Sequence, residues 1–284
     1  MTTQPAGVSV IVPTRNSGRI LAQCLTSLRD QSYAGIEVIV VDNGSTDETI
    51  AIARPLADAI YCFGPVPWIA TSAQRNLGAQ MAHGAYLLFI DSDMRLPREV
   101  VADCVETLER RGSRGVIIPE VSVGEGFWAR CRALERSCYG GDDSAEAARF
   151  FSRDTFVAAG GYDEELTLED WDLSQRIGGT TAMSRIAATI VCDEGRVRLL
   201  GAALKKRYYG ASFRRLVRKH GRRALVRANL IARPAFFRNW RRLAGGGLAT
   251  PGMFVLRAAE LLAAAWGALG PDVRRRGASL LYPE

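Results

Sequence analysis

Two carboxylates one residue apart, Asp91 and Asp93, end the apolar run Tyr86-Leu-Leu-Phe-Ile-Asp-Ser-Asp93. A short apolar run closed by turn residues predicts a strand buried on both faces. Alternation along that strand would point both carboxylates to one side, at the carboxyl end of a parallel sheet where open α/β folds hold ligands. Like charges so close are costly unless a cation lies beside them, so the chemistry open to this tripeptide is a hard-metal site holding a diphosphate. The competing reading is structural: Asp-Ser-Asp turns the chain and caps the helix after Pro97. The tripeptide alone does not choose. A second acidic pair, Glu169-Asp170, opens a predicted helix over 168–177. Acidic residues are common at a helix start, where the helix N-terminus fixes a carboxylate and favours its ionised form.

The elements that must position these residues follow from periodicity. Val8–Val12 and Ile36–Val41 read as strands, with loops Pro13-Thr-Arg-Asn16 and Asp42-Asn-Gly44 leaving their carboxyl ends. Apolar residues at 20, 21, 24, 25 and 28 predict a helix over 19–30. Asn43-Gly44 predicts a turn, and Ser45-x-x-Glu48 a capping box for the next helix. A third strand is expected at Ala59–Cys62, a helix over 70–83, a strand at Tyr86–Ile90 and a helix from Pro97 to about Arg110. Further strands are expected at Gly115–Pro119, Phe150–Ser152 and Ala187–Cys192, with a charged helix over 130–136 and a loop at Gly160-Gly-Tyr-Asp163. Strands alternating with helices predict an α/β fold with a mostly parallel central sheet.

The ordered set Pro13-Thr-Arg-Asn16, Val41-Asp-Asn-Gly-Ser-Thr-Asp47, Gln74-Arg-Asn-Leu-Gly78, Phe89-Ile-Asp-Ser-Asp93, Gly160-Gly-Tyr-Asp163 and Glu169-Asp170 resembles the family 2 glycosyltransferases of the GT-A fold, over roughly residues 8–195. The resemblance implies a catalytic domain over 1–195, with a nucleotide-sugar half to about residue 97 and an acceptor half over 98–195. It implies a UDP- or GDP-linked donor, with Pro13, Thr14, Arg15, Asn16 and Asp42 around base and ribose. Arg75 and Asn76 would serve the diphosphate, and Asp91 and Ser92 the ribose, the sugar or a metal-bound water. Asp93, with Asp91 as a further candidate, would hold Mg²⁺ or Mn²⁺. Asp170 would deprotonate the acceptor hydroxyl in one inverting displacement, with Gly161, Tyr162, Glu169 and Trp171 on the acceptor side. Asp47 is expected to support a helix start and Asp172 to point elsewhere. In many relatives a histidine roughly twenty residues beyond the Glu-Asp pair completes the metal site; Cys192 stands there, a poor ligand for Mg²⁺. A nucleotidyltransferase could share the nucleotide-binding half without needing the later motifs. A soluble small-molecule acceptor is the alternative to a lipid-linked one.

Composition frames the rest. The 284 residues are 48 % hydrophobic, ordinary for a globular protein. Met1–Gly7 is polar, so no secretory signal is expected. Six cysteines without a C-x-x-C pair predict reduced thiols and the cytosol. The net charge of +7 conceals an asymmetry. Between Glu194 and Glu260 there are seventeen Lys and Arg and no acid, leaving the remainder near −10. The shift at Arg196 marks a basic, amphipathic, helical extension over 196–284, with Leu204, Tyr208, Phe213, Leu216 and Val217 on one side. Such a tail packs on its own domain or lies at a membrane surface. Residues 253–269 are more apolar but carry Arg257 and Glu260, which predicts an interfacial or packing helix rather than a span. Related enzymes with such tails suggest a polyprenyl-linked acceptor and a peripheral place, through 196–269, on the inner face of the plasma membrane. The tail has no nucleic-acid motif, and no nucleic-acid partner is expected.

Overall fold

A computed structural model describes residues 7–63, 70–142, 146–221 and 234–270. The chain divides into two compact units. The first comprises Met1–Glu120, Glu146–Glu164 and Glu169–Cys192; the second comprises Val121–Ala145, Glu165–Leu168 and Asp193–Glu284.

In the first unit, strands β1 (Val8–Thr14), β2 (Ile36–Asp42), β3 (Ala59–Cys62) and β4 (Tyr86–Phe89) are parallel neighbours in the order β3-β2-β1-β4. Helices α1 (Leu21–Arg29), α2 (Thr49–Ala53) and α3 (Thr71–Met81) connect them. The sheet continues through β8 (Ala148–Ser152), β6 (Gly115–Ile117) and β9 (Met183–Arg185). Only β8 runs against the others. All seven residues of β1 are buried. Alternation sends Val8, Val10 and Val12 into a core with α1 and α4 (Val100–Arg111), and Ile11 into a second core with Phe89 and Phe151. The order reverses at β1, since β2 lies on one side of it and β4 on the other, and this opens a crevice beyond their carboxyl ends.

Two local expectations are corrected. The Ser45–Glu48 capping box does not form: Ser45 donates to Asp42, and the helix start is served by Asp47, whose Oδ1 accepts from the Thr49 N–H at 3.0 Å. The last strand, β10, spans Ile190–Arg196 instead of starting at Ala187. Its Cys192 pairs with Met94 of the two-residue strand β5 (Met94–Arg95).

In the second unit, α5 (Gly126–Ser137) follows β7 (Glu120–Glu125), and α8 (Leu199–Gly210) and α9 (Phe213–His220) precede the long helix Ala249–Leu269. The sequence boundaries put α5 with the acceptor half. It sits instead with the C-terminal residues, because its buried Glu135 pairs with Arg257 and its Arg132 with Glu260. Gly210 and Gly267 let α8 and the long helix cross closely; a Cβ on either would overlap the backbone of Ala264 or Arg207. Cys131, Cys138, Phe236, Met253 and Leu256 form the core there. The predicted tail stripe is split between α8 and α9, with Leu216 buried and Leu204, Tyr208, Phe213 and Val217 half-buried. The predicted elements within 222–233 and 271–284 lie outside the described residues.

Candidate active site

The site lies in the first unit, and α3 assembles it. Four residues within little more than one turn of that helix each meet a different neighbour. Gly78 lies against Ile11, where any Cβ would clash, so the helix sits directly on β1. Gln74 donates to the carbonyls of Thr14 (3.0 Å) and Val41 (2.7 Å), tying the carboxyl ends of β1 and β2 together. Asn76 brackets Tyr162, donating to its carbonyl and accepting from its N–H, both at 2.9 Å. Arg75, between them, reaches two acidic motifs far apart in sequence: Nη2 meets Asp91 Oδ1 at 2.5 Å, and Nη1 meets Glu169 Oε1 at 2.7 Å.

The loops that leave β1 and β2 are knitted by Asp42 and Asn16. Asp42 is 2 % exposed and accepts from Thr14 Oγ1 (2.9 Å), Ser45 Oγ (2.5 Å) and Ser45 N–H (2.8 Å). Asn16 has φ +48°, a left-handed conformation that asparagine tolerates, and its Oδ1 accepts from the Thr46 N–H at 2.9 Å. Pro13 and Thr14 are buried, while Arg15 is exposed. The hydroxyls of Ser17 and Ser92 are 2.9 Å apart and join the first loop to the Asp-Ser-Asp turn.

The two aspartates of that turn differ in surroundings. Asp91 faces two guanidinium groups, Arg75 and Arg149, the latter at 3.3 Å. Asp93 is half-buried with its Oδ1 shielded from solvent. Cys192, 5 % exposed in the core, stands across from Met94. The Cys24 thiol lies below, its Sγ 3.6 Å from the Asp91 carbonyl; burial pushes its pKa up, with Asp93 and Asp91 adding to the shift. Among the described residues no three His, Cys, Asp or Glu side chains converge as a metal-binding group.

Arg149 went unnoticed in the sequence reading. It lies on β8, binds Glu120 at 2.7 Å and Asp91, and is held fully charged by them. An arginine inside the apolar strand Ala148-Arg-Phe-Phe-Ser was the available signal, since a charge there needs a buried partner.

On the opposite wall, α7 (Glu169–Ile177) begins at the acidic pair. Glu169 is 9 % exposed; burial raises its pKa to about 7, against the pull of Arg75 and with a further push from Asp170. Asp170 is half-buried, and its Oδ1 accepts from the Trp171 N–H at 2.7 Å. Its Oδ2 makes no hydrogen bond to the described residues. Asp172 is fully buried and paired with Arg176 at 2.8 Å, away from the other two. Tyr162 is 4 % exposed, its ring 5.0 Å from Phe89 and 5.3 Å from Phe156, with Arg75 over its face at 5.6 Å. It and Gly161, at φ +67°, therefore shape the wall from behind, while Trp171 is half-buried.

The family model "Glycosyl transferase family 2" matches residues 9–188. An uncharacterized glycosyltransferase of Haemophilus influenzae is 37 % identical over 89 residues, 30 % of this chain and 36 % of that protein. The Staphylococcus aureus poly(ribitol-phosphate) beta-N-acetylglucosaminyltransferase TarS is 32 % identical over 117 residues, 39 % of this chain and 20 % of that protein. These alignments thus span well under half of either relative. Among solved structures, TarS 1–349 in complex with UDP-GlcNAc matches with TM-score 0.53 at 18 % identity, covering 95 % of this chain and 92 % of that one. The Pyrobaculum calidifontis mannosyltransferase PcManGT, in complex with GDP-Man and Mn²⁺, matches with TM-score 0.57 at 22 % identity, covering 95 % and 77 %.

Proposed function

The chain belongs to glycosyltransferase family 2, and from that premise we propose that it moves a sugar from a UDP- or GDP-linked donor to an acceptor hydroxyl, inverting the anomeric carbon. The observation that carries this reading is Arg75, whose guanidinium joins Asp91 of the Asp-Ser-Asp turn to Glu169 of the acidic pair. One rigid fork thereby sets the donor-side and acceptor-side carboxylates against each other. A nucleotidyltransferase would have no use for the second half of that arrangement.

The crevice at β1 and β4 receives the nucleotide. Exposed Arg15 meets base or ribose, and Asp42 and Asn16 hold the loops that shape its pocket. Asp91, already paired with Arg75 and Arg149, brings cationic groups next to the diphosphate. The residues suit a divalent cation: Asp93 supplies one hard carboxylate, and Mg²⁺ or Mn²⁺ commonly takes its other oxygens from phosphate and water. Such an ion would offset the charge growing on the departing nucleoside diphosphate. The soft Cys192 thiol adds nothing to that set. Asp170 Oδ2 accepts the proton of the acceptor hydroxyl, while the Trp171 N–H fixes the carboxylate through Oδ1. The basic second unit and its apolar surface favour a lipid-linked acceptor, polyprenyl-borne, reached from the cytoplasmic face of a membrane.

Asp170→Asn tests the assignment. It keeps the shape and should bind the nucleotide sugar normally, yet lose about two to four orders of magnitude in turnover, read as release of nucleoside diphosphate in the presence of acceptor. Transfer at the parental rate would place the base elsewhere, and release of inorganic pyrophosphate would replace the whole reading by nucleotidyl transfer.

A further inference from the structure

The helix Ala249–Leu269 turns its two charged residues inward, beside the core residues Met253 and Leu256, and leaves a row of large apolar side chains outside. Its two ionised residues, Arg257 and Glu260, are each 7 % exposed. Arg257 pairs with Glu135 and donates to Tyr139 Oη at 2.7 Å, and Glu260 pairs with Arg132. The outward positions are Phe254, Val255, Leu262, Trp266 and Leu269, exposed by 45, 52, 73, 60 and 76 %. Separations of seven, four and three residues line Val255, Leu262, Trp266 and Leu269 along one face, with Phe254 at its edge against Phe236. In water such a stripe loses the burial that usually stabilises an amphipathic helix, and a ridge of this kind marks a surface meant to be covered.

The surroundings indicate the cover. The Arg207 guanidinium stacks 3.6 Å from the Trp266 ring, and Arg214 donates to the Leu269 carbonyl at 3.2 Å. In sequence, the chain between Glu194 and Glu260, which includes Arg207 and Arg214, carries seventeen Lys and Arg without one acid. We propose that this ridge docks on an anionic bilayer, its apolar side chains among the outer acyl segments and its flanking arginines at the headgroup phosphates. This deepens the membrane-proximal reading given above and rests on it. A second copy of the chain is the poorer occupant, because a two-fold contact would set basic surface against basic surface.

The helix lies along the membrane rather than through it. By length and composition Ala249–Leu269 is long and apolar enough to cross one. Its inner face, however, is bound to α5 and α8 through two buried ion pairs and the Gly210–Gly267 crossing. A span would drag exposed Arg130 and Lys205 of those helices into hydrocarbon.

The test is co-sedimentation of the full chain with phosphatidylcholine vesicles containing none or about a third phosphatidylglycerol. Binding should be about tenfold stronger with the anionic lipid and weaken with added salt. Leu262→Glu combined with Trp266→Glu should weaken it a further tenfold or so, with circular dichroism and nucleotide binding unchanged because both sites are exposed. Equal binding by the doubly substituted chain overturns the surface. So does a dimer, seen by sedimentation velocity and abolished by the same change, in a chain that ignores vesicles. Resistance of the bound protein to alkaline carbonate overturns the flat orientation. Loss of UDP and GDP binding in an unsubstituted chain that still binds vesicles would sink the transfer reading while leaving the surface standing.

Discussion

Glu169 and Asp170 are neighbours with opposite surroundings, and that difference separates their tasks. Glu169 is enclosed against Arg75, whereas one oxygen of Asp170 accepts no hydrogen bond from the described residues. Burial lifts the Glu169 pKa from its ordinary 4.5 to about 7. A carboxyl raised on folding stabilises the folded state while protonated; that contribution is complete below about pH 4.5 and is lost as pH rises through about 7. Glu169→Gln does not titrate. The unsubstituted protein should therefore lose stability relative to Glu169→Gln, about 3 kcal/mol, between about pH 4.5 and 8. Denaturant melts across that range measure the difference. A gap that stays constant with pH would mean that Arg75 outweighs burial and Glu169 is ionised throughout.

At the scale of elements, the loop over 160–163 owes its shape to α3. Gly160 and Gly161 both have positive φ, +78° and +67°, but their surroundings differ. A Cβ at 160 would meet open space, while one at 161 would stand 2.9 Å from Asn76 Oδ1, the atom that accepts from the Tyr162 N–H. Gly160→Ala should cost only the backbone strain, about 1 kcal/mol. Gly161→Ala adds displacement of Asn76 and should cost roughly 2–4 kcal/mol, with a parallel fall in transfer as the wall behind Arg75 shifts. Thermal denaturation of the two proteins side by side decides it. Equal losses would remove Asn76 from the account.

Over the whole molecule, two units of contrasting charge divide the work proposed here. The first carries the acidic crevice, the second all seventeen basic residues between Glu194 and Glu260. Nucleotide binding should then stabilise the chain through the first unit alone. UDP or GDP at about a hundred times its dissociation constant adds roughly 2.7 kcal/mol, raised further by Mn²⁺. Asp93→Ala should melt like the parent without ligand, since Asp93 lies in a turn beyond β4 and outside the core. It should keep nucleotide stabilisation without metal and lose the Mn²⁺ increment. An undiminished increment would show that the cation is held by other groups.

The order of the motifs and the run of parallel βα units were legible from residue types and spacing. Both depend on local regularities: alternation, helical period and turn residues act within a few positions of each other. Strand Ala59–Cys62 falls where its pattern places it, and the Tyr86–Phe89 strand does end just before the two aspartates. Long-range pairing was not legible. That Ser45 would serve Asp42 instead of Glu48, that Arg75 would span Asp91 and Glu169, and that Arg149 would join them depend on which segments meet in space. The same holds for the last helix, where Arg257 and Glu260 read as interruptions of an apolar stretch. Pairing with α5, which presents Glu135 and Arg132, holds them inward and leaves the apolar face outside. Sequence determines which side chains can pair; burial of charge decides which do, because an ion taken from water is stable only where the fold supplies its partner.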